Sequence, residues 1–185
     1  MADLGEMDRD VVLEDMVGGS KVARLSVAKP ASRISLRAGS EAIDALSQAL
    51  GLTLPVSPGG SSLAGARTAF WLGPDEWLLI DTDAADLAGL CASVVAAHAA
   101  VDIAHRNAAI LLDGPGAAAA LAFACPIDLR DHAFPVGKVT RTVLGKAEIV
   151  LYRAGTERYH VECWRSFAPY VFALLDEGAR DAARV

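Results

Sequence analysis

VDIAHRNAAILLDGPGAAAALAFACPIDL, spanning Val101 to Leu129, carries the strongest structural pattern in the chain. Val101 and Ile103 form a short alternating segment, and His105, Arg106 and Asn107 make a polar break. Ala108 to Leu112 is an apolar run bounded by turn residues, the signature of a buried strand. Gly114-Pro115-Gly116 turns the chain. Ala117 to Cys125 then offers strong helix formers without a breaker. Pro126 ends that helix, because a residue before proline is pushed out of the helical region. The unit is strand, break, strand, turn, helix, and it opens the second half of a pseudo-repeated chain.

Working outward, Val22 to Ala28 and Ser32 to Ala38 both alternate as strands. Ser40 is expected to cap a helix carrying the Ile43, Leu46 and Leu50 stripe, which Gly51 stops. Thr53 to Gly65, rich in Pro, Gly and Ser, is expected to be loop. Arg67–Leu72 and Glu76–Asp81 form a hairpin around Gly73-Pro74-Asp75, with Trp71 and Trp77 flanking the turn. Asp83 is expected to cap a helix whose apolar face runs Leu87, Leu90, Cys91, Val94, Val95 and His98. Beyond the central unit, Arg130 to Gly137 is loop. Val139–Leu144 and Ala147–Tyr152 form a second hairpin, and Arg158–Trp164 alternates again. Ser166 is expected to cap a last helix with Pro169 in its first turn.

Aligning Gly39 with Gly114, an offset of 75, also matches Leu46 with Leu121. Strand, helix, hairpin and helix recur in both halves, each with the outline of a split βαβ, ferredoxin-like unit. The expected fold is therefore α+β: two pseudo-repeated halves, about 21–99 and 100–182, with helices packed on antiparallel sheets. Residues 1–20, opening with Asp3, Glu6, Asp8 and Asp10, are expected to form an acidic arm before a single domain over 21–182.

At 185 residues the chain can bury one sizeable core, or two small halves sharing one. The 53% hydrophobic share owes much to alanine. Its longest central stretch without Lys, Arg, Asp or Glu, Leu87 to Val101, is too short and too weakly apolar to span a bilayer. An acidic start is the wrong charge for a targeting peptide, so a cytoplasmic location is expected. A net charge of −6 without a basic stripe argues against nucleic acid. Arg141, Arg153, Arg158 and Arg165 are interleaved with carboxylates.

No chemistry-bearing constellation emerges. Cys91, Cys125 and Cys163 stand apart in apolar contexts and show no zinc spacing. There is no GxSxG, and Gly114 and Gly116 lack the rest of a dinucleotide fingerprint. Asp75-Glu76, Asp81 with Asp83, and Asp128 with Asp131 are explained by turns and caps. His98 and His160 read as structural. No catalytic, cofactor-binding or metal-binding residue is therefore assigned. The candidates for partner contact are Trp71 and Trp77 at the hairpin tip, and His105, Arg106 and Asn107 at the polar break. Tryptophan and arginine are favoured at interface hot spots.

LGPDEWLLI at 72–80, DIAHRNAAILLDGPGA at 102–117, CPIDL at 125–129, FPVGKVTRTVLGKAEIVLYR at 134–153 and VECWRSFAPYVFALL at 161–175 together resemble the gamma-subunit family of heterotetrameric sarcosine oxidase. The central unit is also similar to folate-binding aminomethyltransferases. The resemblance implies an aminomethyltransferase-like folate-binding-domain fold in a non-catalytic structural subunit docked mainly on the alpha subunit, beside beta and delta. The parent reaction it implies converts sarcosine to glycine, with the one-carbon unit passing to tetrahydrofolate. FAD, FMN, NAD and tetrahydrofolate are then expected in the alpha and beta subunits, and zinc in delta. Aminomethyltransferases place an aspartate in the hairpin after the central helix; Thr142-Val143-Leu144-Gly145-Lys146 has no acid there. The alternatives are a stand-alone folate-binding aminomethyltransferase-like protein and a small-molecule sensor.

Overall fold

The computed structural model describes Leu13 and residues 16–184. Among the described residues, eleven strands form two antiparallel sheets. The smaller contains β3 (Ser32–Ala38), β4 (Ser61–Ala64), β5 (Arg67–Gly73), β6 (Glu76–Asp81) and β7 (His98–Asp102), in the order β4-β5-β6-β3-β7. The larger joins β1 (Val17–Gly19), β2 (Arg24–Val27), β8 (Asn107–Asp113), β9 (Val139–Leu144), β10 (Ala147–Gly155) and β11 (Arg158–Trp164), in the order β1-β2-β8-β11-β10-β9. The helices are α1 (Ile43–Leu50), α2 (Leu87–Ala92), α3 (Ala117–Ala122) and α4 (Ala168–Ala182).

Five strands of the larger sheet correspond in order to the five of the smaller, and β1 is an extra edge strand. In the first unit, β3-α1-β5-β6-α2-β7 is a ferredoxin-like succession with β4 added at the edge. In the second, β8, α3, β10, β11 and α4 take the corresponding places, and β9 stands where β4 does. The fourth strand is β2, from the N-terminal side, paired antiparallel with β8 through Arg24↔Asp113 to Val27↔Ile110. The units are therefore not contiguous halves of the chain: residues 24–27 belong to the second sheet. The 75-residue offset holds for the first strand of each unit, since 32–38 maps onto 107–113.

Alternation sorts side chains into layers. On β6, Trp77 and Leu79 pack with Leu46, Leu50, Leu87 and Cys91 from α1 and α2. Leu78 and Ile80 face the opposite way, joining Phe70, Ile103, Val139 and Tyr152 in a layer between the sheets. The larger sheet buries Ile110, Leu112, Ile149, Leu151 and Val161 against α3 and α4. The molecule is four layers deep: helices, sheet, sheet, helices. Phe70 and Tyr152 meet across the middle with ring centroids 4.7 Å apart.

Several local expectations are corrected. The stripe ending at His98 outruns its helix: α2 stops at Ala92, Val95 is fully exposed, and His98 begins β7. A helical period in an alanine-rich stretch does not fix where the helix stops. Asp86, not Asp83, caps α2 by accepting from the Gly89 amide. Ser40 and Ser166 make no side-chain cap; each lies in a 3-10 turn that leads into α1 or α4. Asp81 is no exposed turn residue: it is buried and paired with Arg67 at 3.0 Å. The loop expected over 53–65 contains edge strand β4. The α3 helix ends three residues before Cys125.

Of the arm expected over 1–20, residues 1–12, 14 and 15 lie outside the described residues. Leu13 is buried in the larger core, and Val17–Gly19 is strand β1, paired with β2.

Gly114, at φ 129°, brings the chain against β2: a Cβ there would lie 2.4 Å from the Val22 carbonyl oxygen. Gly178 lets α4 cross α3, since its Cβ would lie 2.3 Å from the Ala120 carbonyl oxygen. Replacing glycine by alanine inside a helix ordinarily stabilises by about 1 kcal/mol. Gly178→Ala is expected to reverse that sign and destabilise by about 1–3 kcal/mol through overpacking. Urea unfolding of the two proteins measures the difference.

Candidate functional site

With helices covering one face of each sheet, the polar residues of the remaining faces meet in the middle of the molecule. On β3, Ile34 and Leu36 point to α1 and α2, so Arg33, Ser35 and Arg37 point to the other sheet. On β11, Tyr159, Val161 and Cys163 point to α4, so His160, Glu162 and Trp164 point to the first. Arg33 and Glu162 meet there, with 4% and 1% of their side-chain surface exposed.

Arg33 Nε donates to both Glu162 oxygens, at 2.9 and 3.1 Å, and Nη2 donates to Oε1 at 3.0 Å. Arg33 Nη1 donates to the Ala31 carbonyl at 3.2 Å. His160 Nε2 lies 2.8 Å from Glu162 Oε1. Burial by itself would raise the Glu162 carboxyl. The His160 hydrogen bond and the Arg33 charge outweigh it and hold the group below its ordinary value. Asn107 Nδ2 points to Glu162 at 3.5 Å, and its buried Oδ1 has no protein partner. Nearer the edge, Glu76 joins Arg37 of β3 to Arg141 of β9.

This constellation binds the two sheets together. Sequence reading places Arg33 on the β3 face opposite Ile34 and Leu36 and gives His160 a structural role, which its contact with Glu162 fits, but it brings neither to Glu162. The missing fact was that the second sheet covers that face. Glu162, flanked by Val161 and Cys163 in an otherwise apolar strand, was the available signal. Burial and the neighbouring Glu162 charge push the Cys163 thiol up to about 12, so it is unreactive.

The residues expected at a partner surface divide. Trp77 is fully buried, and its Nε1 donates to the Pro55 carbonyl at 2.7 Å, so it is core rather than contact surface. Trp71, opposite it in the ladder, is half-buried against the same core. Asn107 belongs to the inter-sheet cluster. His105 and Arg106 are exposed. Arg106 stacks over Trp164, with its guanidinium carbon 5.2 Å from the ring centroid, and its carbonyl accepts from the Arg165 amide at 2.7 Å. Trp164 is thus the exposed tryptophan, at 46%, followed by Phe167 at 43% and Tyr170 at 39%.

Two cavities flank the cluster. One of about 110 Å³ lies where the β2–β3 and β7–β8 connections run side by side, with Lys29, Arg33, His105, Asn107 and Arg165 among its lining residues. The other, about 50 Å³, lies between Glu76, Arg141 and Glu162. Pockets that enclose a drug-sized ligand span roughly 300–1,000 Å³, so neither fits tetrahydrofolate. The β9–β10 turn, where the resemblance would look for an acid, is closed by Tyr170, whose hydroxyl accepts from the Lys146 amide at 3.2 Å. Among the described residues no group of three His, Cys, Asp or Glu side chains could hold a metal, and no helix is long and apolar enough to cross a membrane.

Removing one partner of a buried ion pair strands the other. Arg33→Met is expected to cost about 3–5 kcal/mol, and Arg33→Met/Glu162→Leu to recover most of it. The depressed Glu162 group stabilises the fold above its ordinary value of 4.5, and that contribution fades as pH falls through its lower folded value. The stability gap between wild type and Glu162→Gln should therefore narrow as the pH falls from 4.5 to that lower value, and level off beneath it. Chemical denaturation across pH reads both effects.

The profile described as sarcosine oxidase, gamma subunit family, matches residues 37–181. A sarcosine oxidase subunit gamma from Arthrobacter sp. is 34% identical over 136 residues, 71% of this chain and 67% of the relative. One from Corynebacterium sp. (strain P-1) is 33% identical over 156 residues, 79% and 75% of the two chains. Among solved structures, a chain of heterotetrameric sarcosine oxidase from Corynebacterium sp. U-96, in complex with pyrrole 2-carboxylate, superposes with a TM-score of 0.83 at 26% identity, covering 90% of this chain and 88% of that one. The glycine cleavage system aminomethyltransferase T from Bartonella henselae shares the fold, with a TM-score of 0.63 at 17% identity over 83% of this chain and 45% of its own. The chain belongs to the sarcosine oxidase gamma subunit family.

Proposed function

We propose that this chain is the non-catalytic structural gamma subunit of a cytoplasmic heterotetrameric sarcosine oxidase. It docks mainly on the alpha subunit, beside beta and delta, in an assembly that demethylates sarcosine to glycine and passes the one-carbon unit to tetrahydrofolate. FAD, FMN, NAD and tetrahydrofolate reside in the alpha and beta subunits, and zinc in delta.

The likeness over 90% of the chain to a chain of a heterotetrameric sarcosine oxidase carries this reading. The use of the polar groups supports it. Glu162 is engaged by Arg33 and His160, and Glu76 by Arg37 and Arg141. These groups hold the sheets together and leave no pocket of cofactor size between them. The rival is a stand-alone folate-binding aminomethyltransferase-like protein. It requires a pterin site; the 110 Å³ cavity beside the Arg33–Glu162 pair falls below the roughly 300–1,000 Å³ of ligand-enclosing pockets.

Co-expression of the alpha, beta and delta subunits with and without this chain tests the proposal. Without it, recovery of assembled complex and sarcosine-dependent peroxide formation should fall at least tenfold. Normal assembly and turnover in its absence would remove the docking role. Calorimetric titration of the isolated chain with tetrahydrofolate should give no saturable heat; tight binding would favour the rival.

A further inference from the structure

We infer that the Arg106–Trp164 ledge, with the cavity beside it, is the docking surface for a carboxylate-bearing loop of the subunit this chain assembles with. The inference rests on the docking role proposed above and adds where and by what chemistry docking occurs.

Three observations converge. The first is a cluster of cations. Arg37, Arg141, Arg153 and Arg158 each hold a carboxylate. Of the cations with none within ion-pair distance among the described residues, Lys21, Arg24, Lys138 and Lys146 stand elsewhere, whereas Lys29, Arg106 and Arg165 line adjoining hollows. On a chain of net charge −6 these cations, with His105, gather at one place. The second is continuity. Arg165 lines both the 110 Å³ cavity, with Lys29 and His105, and the shallow depression formed with Arg106, Trp164 and Ser166. The third is exposed aromatic surface. Trp164, Phe167 and Tyr170 follow one another at three-residue spacing, each about two-fifths exposed or more.

Arginine, tryptophan and tyrosine are the side chains that most often anchor interfaces. Arg106 already rests over the Trp164 ring, so part of the cost of ordering its side chain is met before a carboxylate binds it. The occupant is therefore acidic at the ledge, and a small apolar side chain beside that carboxylate suits the cavity, which Leu13, Val27, Pro30 and five alanines line behind Lys29, His105 and Arg165. A competitor of the same chemistry exists in the sequence of the chain itself, which has Asp3, Glu6, Asp8, Asp10, Glu14 and Asp15 around Leu13, a residue that lines the cavity.

The test is affinity co-purification of this chain on tagged partner subunits after co-expression, with washes of rising salt. Wild type should be retained, and retention should weaken with salt. Arg106→Glu/Arg165→Glu should lower retention at least tenfold with an unchanged unfolding temperature. Arg106→Lys/Arg165→Lys should restore at least half of it, and Lys21→Glu, an exposed charge elsewhere, should have no effect. Wild-type retention of the charge-reversed protein would overturn the surface while leaving the docking role intact. Failure of wild type itself to be retained would overturn the docking role and the surface with it. If deletion of residues 2–12 raises retention and abolishes the salt dependence, the acidic segment is the occupant and the inference falls.

Discussion

The buried pairing of Arg33 with Glu162 is the constraint on which the architecture turns. Each sheet has one face covered by helices, and its other face must be buried against the second sheet or left to water. Leu78, Ile80, Phe70, Val139 and Tyr152 favour burial, and burial then traps one guanidinium and one carboxylate. Ions removed from water cost several kcal/mol each unless geometry and further hydrogen bonds compensate. Three N–H···O contacts, the His160 ring and the Ala31 carbonyl supply that compensation. A pair this specific also fixes register, because a one-residue slip of β3 or β11 would turn Arg33 or Glu162 into the helix layer.

Much of this was legible from local patterns. Strand β3 follows from SRISLRA, and the two hairpins follow from their turn residues. The 75-residue offset found the repeat, because the first strand and helix of each unit share one geometry. The layer stacking was not legible. A strand alternating apolar and polar residues looks the same whether its polar face meets water or another sheet, and that ambiguity hid Arg33 and Glu162. The same limit misplaced the tryptophans. Trp71 and Trp77 flank a turn that sequence reading took for an exposed tip, whereas the Pro55 segment folds over Trp77 and accepts its indole N–H. Trp164 is exposed because β11 ends just beyond the other sheet. The place of β2 was equally hidden, since nothing in RLSV says which sheet it completes.

The pseudo-symmetry bears on function. Two ferredoxin-like units, one completed by a strand from the N-terminal side, make a body whose interior is spent on joining them. Most of its charged groups neutralise one another, Arg33 with Glu162 and Glu76 with Arg37 and Arg141. On the outside, Arg106 rests on Trp164 and Arg165 stands beside them. The fold is shared with aminomethyltransferase T, and here an ion-paired seam joins its two sheets. The proposed docking role rests on membership of the gamma subunit family.

Native mass spectrometry of the chain purified from cells expressing all four subunits tests that claim most directly. The account predicts one copy of this chain in a heterotetramer with alpha, beta and delta. A three-subunit complex that forms without it, with this chain running alone, would contradict the account.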